Sequence, residues 1–73
     1  MLLVFGIDLS QEDGFDKLKA YIERANSGEE ISAMMREIDA EIGYATRTGK
    51  VRNKIVLETV FELVHNYAVS RGL

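Results

Sequence analysis

Cysteine is missing from these 73 residues, which removes disulfides and thiolate metal sites together and fits a reducing compartment. A single histidine leaves little from which to build a transition-metal centre. No apolar run approaches the roughly 20 residues that a membrane-spanning helix needs. The opening MLLVFGIDL is shorter than that, and it lacks the basic leader and small-residue cleavage site of a secretory signal. A cytoplasmic protein with no membrane partner is therefore expected. Excess positive charge is missing too. The chain carries a net −3 with a pI near 5.0, so its bulk field repels nucleic acid. No serine, threonine or lysine sits in a recognisable nucleophile arrangement. Thr48-Gly49-Lys50 lacks the preceding glycine of a phosphate-binding loop. Neither an enzyme nor a cofactor is expected.

These absences bear on stability as well. One domain, residues 1–73, is all that this length allows. So small a core usually needs a disulfide, a metal or a second copy to be comfortably stable. With the first two removed, homodimerisation is the expected stabiliser, and hydrophobic residues at 47 % of the chain supply surface for it.

What is present is organised around Val51–Val69, the longest apolar-rich stretch and one without glycine or proline. At about 100° per residue, Val56, Leu57, Val60, Phe61, Leu63, Val64, Tyr67 and Ala68 fall on one broad arc. Such an arc is wide enough to touch two neighbours. The opposite strip carries Lys54, Glu58, Thr59, Glu62, His65, Asn66 and Ser70, with Val51, Ile55 and Val69 as apolar exceptions. A helix over residues 51–71 is predicted, with Gly72 as its stop.

Upstream, residues 1–9 are almost wholly apolar and do not alternate. Valine, phenylalanine and isoleucine favour extended structure, so this segment reads as an N-terminal arm: a strand paired with its copy in another subunit, or a strap across the helices. Ser10 with Asp13 approximates a capping box and opens a helix over about 11–25. Its stripe is Phe15, Leu18, Tyr21, Ile22 and Ala25. Asn26-Ser27-Gly28 breaks the chain, and Ser27 with Glu30 forms a better capping box for a helix over about 29–45. That helix buries Ile31, Met34, Met35, Ile38, Ile42 and Ala45. Thr46–Lys50 is the second break. The expected fold is an all-α three-helix bundle with a short extended N-terminal arm, assembled as a dimer.

Four cations, Arg47, Lys50, Arg52 and Lys54, fall within eight residues with no acid among them. Against a net of −3 they leave −7 on the rest of the chain. Such a run can grip phosphates of a nucleic acid, with Thr46 and Thr48 adding hydroxyl contacts. It can equally pair with the acidic set Asp8, Glu12, Asp13 and Asp16, either within one molecule, where an up-down-up bundle places both sets at the same end, or between subunits; pairing is the expected use.

Element order resembles the ribbon-helix-helix regulators, whose paired N-terminal strands read the major groove. Base reading needs polar side chains on one strand face. Here the faces are Leu2, Val4, Gly6, Asp8 and Leu3, Phe5, Ile7, Leu9, so DNA recognition does not follow. A helix-turn-helix turning at Gly49 would start its recognition helix with Val51-Arg52-Asn53-Lys54, though Thr48 and Lys50 stand where apolar residues would help. Glu62 and His65 have the E-x-x-H spacing of di-iron carboxylate bundles, with Glu58 one turn earlier, but they also fit a solvated face. No metal is expected. Met34, Met35, Tyr44 and Tyr67 fit core better than an adaptable groove. The function that these residues support is a non-catalytic protein–protein interaction module, an adaptor, inhibitor or regulatory subunit. It would use apolar surface at Phe5, Ile7, Val51, Ile55 and Val69 and act as a homo-oligomer. A nucleic-acid-binding regulator using the 47–54 segment is the alternative.

Overall fold

A computed structural model describes residues 2–73; Met1, the first residue of the expected arm, lies outside the described residues. Two short strands, β1 (Leu3–Val4) and β2 (Ile7–Asp8), precede three helices, α1 (Gly14–Ile22), α2 (Gly28–Arg47) and α3 (Val51–Arg71). The three helices pack together, and the chain is mostly helical with one small antiparallel hairpin.

The hairpin corrects the expectation of a single strand. β1 and β2 pair with each other, Leu3 opposite Asp8 and Val4 opposite Ile7. The Leu9 amide extends the ladder by donating to the Leu2 carbonyl at 2.9 Å. The apolar run therefore pairs with itself and needs no second copy to form a strand partner. Phe5 (φ 53°) and Gly6 (φ 77°) both lie in the left-handed region, as a two-residue type I′ turn requires. Glycine accepts that conformation freely, whereas for phenylalanine it costs about 1–2 kcal/mol. The Phe5 ring stacks on Tyr21 of α1, centroids 4.7 Å apart and planes 19° from parallel. A stacked pair of this kind offsets about 0.5–1.5 kcal/mol of that strain.

Helix α1 is shorter than its apolar stripe suggested. Asp8, not Ser10, organises the entry, because its carboxylate accepts from both the Ser10 amide (3.0 Å) and the Ser10 hydroxyl. Ser10 is thereby drawn back toward the hairpin and cannot cap α1, whose N-cap is Asp13 without a side-chain bond. At the other end Arg24 and Ala25 close i→i−3 bonds onto Tyr21 and Ile22, which tightens the last turn into 3₁₀ geometry. Ala25 nonetheless stays buried, as do Leu18 and Ile22. Phe15 is exposed instead. Gly14 is needed where it stands: a Cβ there would lie 2.6 Å from the Asp8 carbonyl oxygen and 2.9 Å from Leu9 Cα. This close approach seats the hairpin on α1.

Helix α2 opens as expected, with the Ser27 hydroxyl accepting from the Glu30 amide at 3.2 Å and two acids in its first turn. Three residues, Thr48-Gly49-Lys50, then turn the chain. Gly49 takes φ 71°, and the Lys50 amide donates to the Ala45 carbonyl at 2.9 Å, closing a Schellman motif. Gly72 (φ 72°) ends α3 in the same way, with Leu73 donating to Ala68 at 2.8 Å. Helices α2 and α3 run antiparallel alongside each other, so that the start of α2 meets the end of α3. The core lies between them and the N-terminal unit: Val4, Leu9, Leu18, Ile22 and Ala25 against Ile31, Met34, Ile38, Leu57, Val60 and Val64. All eight residues of the broad α3 arc are buried or half-buried.

Candidate functional site

Two candidate surfaces stand out among the described residues once the core is subtracted. The first is the outer strip of α3. Val51, Ile55 and Val69 are 64 %, 57 % and 66 % exposed. Val51 and Val69 are eighteen residues apart, about five helical turns, so they share one azimuth, and Ile55 lies about 40° from it by the same pitch. Between the apolar ends of this line stand Glu58, Glu62 and His65, all exposed. Beside it runs a shallow groove floored by Ile42 and Phe61 and bordered by Asp39, Glu58 and Glu62. Phe5 and Ile7 do not join this surface. Both are half-buried in the N-terminal hairpin and pack against the core, where the closed hairpin holds them.

The second surface is the tip formed by the end of α2, the Gly49 turn and the start of α3. Arg47, Lys50 and Arg52 are exposed there, and Lys54 is half-buried. The expected pairing with Asp8, Glu12, Asp13 and Asp16 is not formed within the chain. Among the described residues the only ion pair is Lys17–Asp13 (3.3 Å), within α1. Asp8 is already engaged by Ser10 and by the Gln11 amide group at 3.4 Å. The Ser10 hydroxyl first, and then its backbone amide, hold the Asp8 carboxyl below the usual aspartate range. Lys50 instead lies 5.6 Å from the ring centroid of Tyr44, which is half exposed, in a cation–π contact. The threonine hydroxyls are also committed: Thr46 donates to the Ile42 carbonyl (2.9 Å) and Thr48 to that of Tyr44 (2.8 Å). Neither is free to donate to a phosphate.

The antiparallel α2–α3 pairing overturns the helix-turn-helix geometry, whose helices cross at about 90–120°. Here the start of α3 abuts the end of α2 instead of projecting from it. The E-x-x-H spacing is not completed into a metal centre: among the described residues no three histidine, aspartate or glutamate side chains are gathered to hold an ion. Of the four residues weighed as core or groove, Met34 is buried, Met35 and Tyr67 are half-buried and Tyr44 is exposed.

Sequence reasoning missed the role of Tyr67. Its hydroxyl is shared between the carbonyls of Glu23 and Ala25, each at 3.0 Å. Arg71 donates to the same oxygen at 3.0 Å and lies 5.6 Å from the ring centroid. These carbonyls end α1, where helices leave acceptors unsatisfied. Tyr67 thus pins the N-terminal unit to α3. A polar atom on an apolar arc was the available signal, because a buried tyrosine hydroxyl seeks a partner.

No helix among the described residues is long and apolar enough to cross a membrane. Compared with known proteins, the chain matches no family model, no curated protein and no solved structure.

Proposed function

We propose that this chain is a small non-catalytic protein-interaction module of the cytoplasm, an adaptor, inhibitor or regulatory subunit that acts as a homo-oligomer through the outer strip of α3. The supporting observation is the line of Val51, Ile55 and Val69, more than half exposed on a helix whose other apolar residues are covered. Full burial of a valine or isoleucine side chain contributes about 1.5–3 kcal/mol. With each already partly covered, the three together supply roughly 3–5 kcal/mol on that scale. Association itself costs about 4–15 kcal/mol. The strip alone is therefore too small, and contact has to extend into the Ile42–Phe61 groove.

Glu58 and Glu62 shape how copies meet. An antiparallel pairing centred on Val60 sets Val51 over Val69, but it also sets Glu58 over Glu62. Like charges so placed repel and are screened by salt, so self-association is expected to be weak and to strengthen as salt rises. Sedimentation velocity from about 10 μM to 1 mM, a range that spans weak association, tests this on the wild type and on Ile55→Lys and Val69→Lys. Concentration-dependent dimers lost in both variants support the reading. A wild type that stays monomeric throughout, at low and high salt, would end it.

A further inference from the structure

We propose that the α2–α3 tip is a second binding surface, one that takes the phosphodiester backbone of a nucleic acid without reading its sequence. This goes beyond the protein-interaction reading and does not depend on it. The bland explanation for four clustered cations is internal neutralisation, and the fold does not provide it. Of the acidic set that should have faced them, Asp8 and Asp13 are engaged by Ser10 and Lys17, and among the described residues neither Glu12 nor Asp16 forms an ion pair with a tip cation. Glu41, which shares a shallow depression with Lys50, Tyr44 and Asn53, forms no ion pair with Lys50. The cations ring the turn, Arg47 at the end of α2, Lys50 within the turn, Arg52 and Lys54 in the opening turns of α3.

Local backbone chemistry points the same way. Helix α3 begins with no acid in its first turn and no side-chain cap, whereas α1 carries Asp16 and α2 carries Glu29 and Glu30 at the corresponding places. Negative charge is therefore absent where the positive end of the α3 dipole adds to the side-chain cations. A tip of four positive charges on a body of −7 is held to end-on contact, because the rest of the surface repels the same polyanion. Base reading is not expected, since the paired helices present a blunt turn and not a helix that can lie in a groove.

End-on contact limits the footprint to about four phosphates, and the salt dependence follows. The slope of log K against log salt is about −0.9 per phosphate on a duplex and about −0.7 on a single strand. Raising salt from about 50 to 200 mM should weaken duplex binding roughly 100-fold and single-strand binding roughly 50-fold on those slopes. The test is fluorescence anisotropy of labelled duplex DNA, single-stranded DNA and RNA of unrelated sequences, with poly-glutamate and anionic vesicles as competing polyanions. Sequence-independent binding with such slopes is expected. It should fall at least tenfold in Lys50→Glu/Arg52→Glu and in the milder Arg52→Gln/Lys54→Gln, and stay unchanged in Glu37→Gln on the acidic body. The proposal is overturned by no binding at about 50 mM salt, by a slope shallower than about −1, or by tip variants that bind as the wild type does. Equal affinity for poly-glutamate or for vesicles also overturns it, in favour of an acidic protein or a membrane surface.

Discussion

Replacing Gly14 by alanine separates two opposed physical effects at one position. Gly14 is the first residue of α1, and in a helix alanine is favoured over glycine by about 0.8–1 kcal/mol, less near an end. Propensity alone therefore predicts a small gain. The fold predicts a loss. The added Cβ would stand 2.6 Å from the Asp8 carbonyl oxygen, 2.9 Å from Leu9 Cα and 3.3 Å from the Leu9 carbonyl carbon. All three are backbone atoms, so no side chain can swing aside, and the hairpin itself must lift from α1. Overpacking of this kind costs about 1–3 kcal/mol, which leaves a net loss of about 1–2 kcal/mol after the propensity gain. A domain of this size shifts its midpoint by about 4–8 °C per kcal/mol, so thermal unfolding followed by circular dichroism should fall by roughly 5–15 °C. Gly43→Ala is the control. It lies within α2, and its Cβ would meet only the flexible Arg47 guanidinium at 3.4 Å, so about 0.5–1 kcal/mol of added stability is expected. If both variants gain stability alike, the close seating of the hairpin on α1 is wrong.

Two further outcomes follow from the hydrogen bonds that hold the N-terminal unit. Tyr67→Phe removes the hydroxyl shared by the Glu23 and Ala25 carbonyls. It should lower stability by about 1–1.5 kcal/mol in urea titration, with α1 amides gaining the most in hydrogen exchange; unchanged α1 protection would refute the pin. Asp8 has its carboxyl held down in the folded state by the Ser10 hydroxyl and amide. Its contribution is therefore present above the unfolded aspartate pKa of about 3.9 and lost as pH falls through the lower folded value. The stability difference between wild type and Asp8→Asn, measured by thermal melts across pH, should shrink below about pH 4; a difference constant to pH 2 would count against it.

Where local and tertiary forces agreed, the helices could be read from residues alone. Val51–Arg71 has its broad apolar arc, its basic last turn and a glycine to stop it, and the structure keeps those bounds. Ser27 and Glu30 marked the start of α2 to within a residue. The hairpin was not legible, because the usual Asn-Gly or Asp-Gly signal is replaced by Phe5-Gly6. There the strained residue is held by the tertiary contact with Tyr21, which no local pattern carries. Ser10 failed as a cap for a related reason. Asp8 competes for it two residues upstream, and that competition exists only once the hairpin has formed.

The candidate surfaces divide along the same line. Val51, Ile55 and Val69 stood out as apolar residues on a polar strip, a periodicity argument that needs no partner, and they are exposed. Phe5 and Ile7 were assigned to an interface only because a lone strand would have needed one; once the run pairs with itself, the reason lapses. The four cations were assigned to pairing with Asp8, Glu12, Asp13 and Asp16, within the chain or between subunits, from an expected up-down-up order of the helices. Within the chain that pairing is not formed, and Asp8 and Asp13 have nearer partners in Ser10 and Lys17. Short-range partners win such contests, since an exposed ion pair gains only about 0–1 kcal/mol and a distant cation offers no more. The result is a chain whose two candidate surfaces obey opposite rules of screening. Salt weakens a phosphate contact at the tip and relieves the Glu58–Glu62 repulsion on α3. One salt series, read by anisotropy and by sedimentation on the same protein, therefore separates them: the two readouts must move in opposite directions, and a shared direction would mean that at least one surface has been assigned the wrong partner.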